Sequence, residues 1–600
     1  MSSAAGSLST SRPAQNWIIS RNLDIVFVIA APVLAFFWAL GTMQLFSTGV
    51  VLSIFMVFNV AHHFPTFIRI YGDRDLLRRF RWELILGPVI PFSLAIMAVS
   101  YVITSTSQAG QTAESVADSM IFLFIVLLIW DPWHFLMQHY GFMRIYDRHN
   151  KAPRKIAARM DLAVSWIWFI CILVLISEWL PDLLFDLQSK HGLPLVFLFN
   201  INTYRWLETI MIVLAGGMGL VYAGYLVWCA RRGYYISRAK LCLLASTFLV
   251  MYLTYVPNPL IDRVAPGWNF SLGFATLGMV HVTQYLAIVW KYNRGLATKN
   301  RARTPGFARA FARGGFIVLA VYIIACLVYG VAVSFYGVTL PFETWNKISG
   351  GGGATLFQSS IGIWYGGILA AVGFTSTFLH YYYDGFIWKV RHKENQQNLA
   401  LADATEAEKS GDAKPDSKSW WTSGGARRPV KVLVRQALYL GVPIVLVVGT
   451  YVVTQERESP EEFRQLAFNF QLNAKPKESA QAAEIALRGF ERQLALERKM
   501  IQVRPRVRHY ASIAELTYSI SYLKQQFLAD IPAYQETSQQ QQEWLVQSIK
   551  AMEAALELPA PYGFSTNLEG QQKKKAVETM LAERREELAK LVAASDPETD

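Results

Sequence analysis

Residues 119–144 read SMIFLFIVLLIWDPWHFLMQHYGFMR. The run exceeds the ~20 residues that cross a hydrocarbon core, and it ends on Arg144, the type of residue that anchors a helix at the membrane surface. Its interior breaks the apolar pattern with Asp131, His134, Gln138 and His139. Lipid solvates none of these groups, so each must face protein, a cavity or an ion. The stretch therefore reads as one helix of a polytopic bundle with a polar interior.

The rest of the chain extends this reading. Of its 600 residues 53% are hydrophobic, 14% aromatic and only 17% charged, which is too apolar for a water-soluble protein of this length. Eleven spans are predicted, near 25–46, 49–70, 83–104, 119–143, 161–180, 205–229, 239–261, 268–292, 315–336, 358–390 and 433–453. The loops 74–81, 144–159, 231–240, 291–313 and 389–431 are basic, whereas alternate loops such as 105–118 and 336–358 carry few positive residues. That alternation puts the N-terminus in the cytoplasm and the C-terminal region outside it, most simply in a bacterial inner membrane. The net charge of +13 is thereby assigned to topology rather than to nucleic acid.

The predicted fold class is all-α: a membrane bundle followed by a soluble helical domain. The expected organisation is a cytoplasmic tail at 1–24, a ten-helix membrane domain at 25–392, a flexible cytoplasmic linker at 393–432, an eleventh span at 433–453 and an extracytoplasmic helical domain at 454–600. Residues 1–20 lack a short apolar core with a cleavage site, so the first span reads as an uncleaved anchor. Cys171, Cys229, Cys242 and Cys326 form no CxxC pair, which leaves neither a disulfide framework nor a thiolate metal site.

Beyond 460 the composition shifts to Gln, Glu, Lys and Ala, with Ala483, Ile485, Ala486, Phe490 and Leu494 at helical spacing. Five helices are predicted, near 461–473, 478–500, 507–529, 538–557 and 570–594. They suit either a tetratricopeptide-like array or an irregular bundle. His509 has no metal spacing or nucleophile around it, so this domain is assigned to binding a protein partner.

The chemistry concentrates on six histidines inside predicted spans: His62, His63, His134, His139, His281 and His380. At ~1.5 Å rise per residue they lie roughly 8–15 Å from the basic residues that end their helices, and all in the same half of the bilayer. Asp131 lies nearer the midplane. Polar partners stand one helical turn from several of them, where side chains share a face: Thr66 after His62, Asp131 and Gln138 on either side of His134, Gln284 and Tyr285 after His281, and Asp384 after His380. His134 and His139 are five residues apart, about 140° around a helix, and cannot both address one ion.

Four to six imidazoles with one or two carboxylates suit iron, copper or zinc better than magnesium or calcium. The expected metal ligands are His62, His63, His134, His139, His281, His380 and Asp384, with Asp131, Gln138, Gln284 and Tyr285 handling protons or positioning. The resulting expectation is a metal-dependent oxidoreductase, of the oxygenase, hydroxylase or desaturase type and most simply iron-dependent. It would act on a lipid or other membrane-dissolved substrate and draw on a redox partner. In His134-x4-His139 the chain resembles one spacing of the histidine-box membrane desaturases and hydroxylases, although their HxxHH boxes are absent. Three alternatives remain: a haem held by paired histidines among Phe135, Tyr140, Tyr285 and Tyr381; a proton- or ion-coupled transporter; and a scaffold that recruits partners through its external helices.

Overall fold

The structure is a computed structural model that describes residues 17–46, 48–105, 121–175, 201–256, 258–265, 268, 270–299, 304–336, 360–387, 428–438, 460–503, 505–559, 563–564 and 568–595. All regular structure among them is helical. The chain divides into two compact units, residues 1–173, 211–255 and 271–448 in one and 174–210, 256–270 and 449–600 in the other.

Six helices are long and apolar enough to cross a membrane, or seven if the bent pair Arg21–Ile29 and Ala31–Leu45 is one span. That count, taken among the described residues, is fewer than the eleven expected. Arg238–Tyr255 falls short because Arg238, Lys240 and several hydroxyls dilute its apolar residues. Ile121–Tyr146 and Ser360–Ile387 are helices at expected positions but are not among the six; the start of the first predicted segment and both ends of the second lie outside the described residues. So do most of the tail at 1–24, the linker through residue 427 and the predicted eleventh span beyond 438. The last five positions of that linker are helical, in Arg428–Gln436.

The first unit presents the surface that lipid requires. On helix Phe316–Tyr336, Phe316, Ile317, Val321, Ile324 and Val328 are 58–83% exposed, an apolar stripe that water would not tolerate at this extent. Its interior is tightly packed. Helix Ser360–Ile387 joins Val89–Ser105 in one cluster through Ala95, Val99, Ala371, Phe374 and Phe378. A Cβ at Gly367 would stand 2.4 Å from Val99 Cγ1, so glycine is what permits the approach.

Two prolines shape the helices that carry the site. Proline donates no hydrogen bond and its ring clashes with the carbonyl four residues earlier. Pro32 thus frees the carbonyl of Val28, and the chain bends by 54° between Arg21–Ile29, whose end is a π-turn, and Ala31–Leu45. The Gln284 amide donates to that Val28 oxygen at 2.9 Å, and the Ser246 hydroxyl donates to Ile29 O at 2.8 Å. Pro65 likewise interrupts the second span, which breaks into Thr48–Ala61 and His63–Tyr71 with His62 at the junction. The broken segment is clamped by glycines: a Cβ at Gly278 would meet Asn59 Oδ1 at 2.2 Å, and one at Gly330 would meet Val57 O at 2.5 Å.

In the second unit, helices Pro460–Leu472, Pro476–Val503, Val507–Phe527, Ser538–Glu557 and Leu568–Ser595 each pack on the next. Ala483, Ala486, Phe490 and Leu494 face their shared core with Leu516, Ile520 and Met552. Thr537 and Gln540 form a reciprocal capping box at the fourth helix, which fixes its start. His509 is buried against Glu497, with 2.6 Å between Nδ1 and Oε2, and so serves the packing of the first long hairpin.

Candidate metal centre

Four sequence-distant segments bring His62, His134, His281 and His380 together, each no more than 6% exposed. Their rings pack edge to face: the centroid of His62 lies 4.4 Å from that of His380 and 4.6 Å from that of His281, and His134 lies 4.8 Å from His380 and 4.9 Å from His281. The His62 Nε2 atom is 3.0 Å from Nε2 of His380 and 3.0 Å from Nε2 of His281.

The hydrogen-bond network assigns the protons of these rings. At the break, the His62 Nδ1 faces the Asn59 carbonyl. A carbonyl only accepts, so Nδ1 carries the hydrogen and Nε2 of His62 is a bare lone pair. The second assignment runs backward from Asp384. Its Oδ1 accepts from the Tyr285 hydroxyl at 2.7 Å; the Tyr285 oxygen, 2.7 Å from Thr66 Oγ1, must then accept the Thr66 proton. Thr66 has one proton to give, so its oxygen accepts from Nδ1 of His380 at 2.6 Å. The Nε2 of His380 is therefore bare as well. Two imidazole lone pairs face each other at 3.0 Å, an arrangement that repels unless a cation lies between them.

The spacing suits an ion. Nitrogens that bind one metal at right angles, each ~2.1 Å away, stand about 3.0 Å apart. Two groups of three donors have all their ligand atoms within 4.8 Å of one another, His62 with His281 and His380, and His134 with His380 and Asp384. In the second group Asp384 Oδ2 lies 3.6 Å from Nε2 of His134 and 3.8 Å from Nε2 of His380. The His134 Nε2 has no hydrogen-bond partner among the described residues, nor does the His281 Nδ1.

The other expected residues occupy different places. His63 stacks on His380 with 5.0 Å between centroids, and its Nδ1 is 3.4 Å from Ser376 Oγ, which also bonds the Tyr329 hydroxyl. It belongs to neither triad. His139 points away to the face of Phe248, 5.6 Å between centroids, and neither ring nitrogen has a hydrogen-bond partner among the described residues. Asp131 accepts from the Tyr381 hydroxyl at 2.5 Å, and the Tyr381 ring lies 4.8 Å from that of His134. The Gln138 amide donates to His281 O at 3.3 Å and to Gln284 Oε1 at 3.4 Å, so this pair of amides leads to the bent first segment.

Thr66 proves to serve His380 rather than His62, its neighbour on the chain. Asn59, Ser376 and Tyr329 enter the site without having been singled out for it, and Tyr381, expected only as an aromatic neighbour of a haem, donates to Asp131. Pro65 signalled a break near His62, since it removes the helical donor to the Ala61 carbonyl, but it did not single out Asn59. Comparison of the chain with family models, with curated proteins and with solved structures returned no match.

Proposed function

We propose that the chain is an integral-membrane, transition-metal-dependent oxidoreductase acting on a lipid or other membrane-dissolved substrate. The observation that carries the metal is the pair of bare lone pairs of His62 and His380 at 3.0 Å. Iron is the favoured ion, because right-angled nitrogens match six-coordinate geometry better than the tetrahedron preferred by zinc; copper is the next candidate. Such an ion supplies a one-electron couple and open coordination positions.

The protein's own groups then have separate tasks. The Thr66–Tyr285–Asp384 chain holds the His380 ring and its tautomer. Asp131 and Tyr381 share a proton beside His134, outside the ligand set, where it can be passed to a reacting group. Gln138 and Gln284 brace the bend at Val28 rather than handle protons. The orientation inferred from basic loops puts the centre toward the cytoplasmic side of an inner membrane, and the helices beyond Pro460 would recruit a protein partner.

The rival haem reading sits poorly with the geometry, since axial imidazoles need the macrocycle between them and these rings are already in contact. Elemental analysis and an optical spectrum of the detergent-purified chain test the proposal. Stoichiometric iron or copper without a Soret band, together with oxygen uptake on addition of membrane lipid, is the expected result. Metal-free protein that gains no metal on incubation with ferrous or cupric salts would end it.

A further inference from the structure

His380 belongs to both triads, and this limits what they can hold together. An imidazole Nε2 has a single lone pair and binds one ion at a time. The triads do not merge into one shell either. His62, His134, His281 and His380 do not form a group whose ligand atoms all lie within 4.8 Å, whereas donors on one ion at ~2.1 Å cannot be more than about 4.2 Å apart. The two sets are therefore neighbouring and mutually exclusive seats.

Resting on the metal reading above, we propose that the centre takes one ion per chain through two successive seats, with His380 as the ligand common to both. The first seat is His134, His380 and Asp384. It is the one with a formal charge: Asp384 Oδ2 faces both ring nitrogens at 3.6 and 3.8 Å, while Oδ1 is engaged by Tyr285. A carboxylate is a hard oxygen donor that attracts a hydrated divalent cation and tolerates its remaining waters. Its imidazole partner, the His134 Nε2, is buried, lacks any hydrogen bond among the described residues and faces the same carboxylate oxygen. The second seat is His62, His281 and His380, three neutral nitrogens that favour a dehydrated transition ion.

Passage between the seats keeps the ion on the His380 lone pair, exchanges His134 and Asp384 for His62 and His281, and takes no proton from His62, whose receiving nitrogen already lacks one. The His281 Nε2, 3.0 Å from that nitrogen, passes its hydrogen to its own Nδ1 side, unpartnered among the described residues, as the ion arrives. His134 and Asp384 thus form a loading seat. The ligands that retain the ion are His62 and His281.

Cobalt(II), whose visible absorption reports donor type and geometry, is a suitable probe for the full-length protein in detergent. Equilibrium titration should saturate at one ion per chain. Stopped-flow mixing should show two phases, the earlier one having the weaker ligand-field spectrum of an oxygen-containing shell. Asp384→Asn and, independently, His134→Ala should each remove or slow the early phase by about 10-fold or more, within the usual effect of losing a metal-site contact. The final stoichiometry should not change. His281→Ala should instead arrest the spectrum at its early form. His134→Ala preserves the Tyr285–Asp384 bond, so a defect shared by both loading variants is not a loss of that bond. Two cobalt ions per chain, or kinetics unaffected by both loading variants, would overturn the two-seat proposal while leaving the metal centre standing. Absence of any cobalt binding would instead remove the metal reading itself.

Discussion

The decisive feature at the scale of single residues is direction rather than distance. A histidine pair 3.0 Å apart could be an ordinary hydrogen bond, but the partners behind each ring use up the proton that such a bond requires. Tyr285 is central to this, since its hydroxyl donates to Asp384 and accepts from Thr66. Tyr285→Phe should lower metal affinity by about 10- to 100-fold, the usual consequence of removing a group that orients a ligand, whereas Thr66→Ser should preserve it. Chelator competition measures both. His139→Ala should leave metal content unchanged, because its ring lies on Phe248 and outside both triads; a loss of the ion would place His139 in the centre after all. Placement and i+3 or i+4 partners made His62, His134, His281, His380 and Asp384 legible in the sequence but did not separate them from His63 and His139, which belong to neither triad. It could not show which nitrogen faces which, because that depends on rotations between helices more than 200 residues apart in the chain, 219 for His62 and His281.

At the scale of elements, proline and glycine set the geometry. Pro65 removes the backbone donor to Ala61, the second span breaks at His62, and the Asn59 carbonyl beside the break fixes the ring. Pro65→Ala should restore a backbone donor to Ala61 and close the break at His62. The measurable result is retained helicity by circular dichroism with a loss of bound metal; unchanged metal content would show that the break is incidental. Gly278 makes room for Asn59, which would otherwise collide with a Cβ at 2.2 Å. The helices beyond Pro460 were the most legible part of the chain, because amphipathic periodicity and turn residues are local signals. The breaks at Pro32 and Pro65 were not, since hydropathy averages over them. Their effect appears only when one asks where each freed carbonyl finds a donor.

For the molecule as a whole, apolar runs announced a membrane bundle; among the described residues six helices meet the requirements of a span, or seven with the bent pair. Charges treated as surface markers proved partly internal. Lys240, which is 1% exposed, reaches Asp147 at 2.8 Å and Asp161 at 3.1 Å, and Arg144 reaches the same two carboxylates at 2.9 and 2.5 Å. Counting Lys and Arg in loops cannot separate such a cluster from a solvated flank, because its partners come from other helices. The cluster ties Ile121–Tyr146, Arg154–Leu175 and Arg238–Tyr255 together. Lys240→Met leaves two buried carboxylates facing one guanidinium, and stability should fall by about 3–5 kcal/mol, as when a buried pair loses a partner. A lowered thermal midpoint in detergent is the readout, and an unchanged midpoint would assign the cluster no structural role.

The order in which the four liganding helices are made has a bearing on biosynthesis. His62 and His380 are separated by 318 positions, so His380 emerges from the ribosome long after His62. During that interval the early histidines have no completed partner set and cannot retain a cofactor. An ion at the proposed centre would be retained only once His380 has been made, and a truncated product lacking Ser360–Ile387 is expected to remain metal-free.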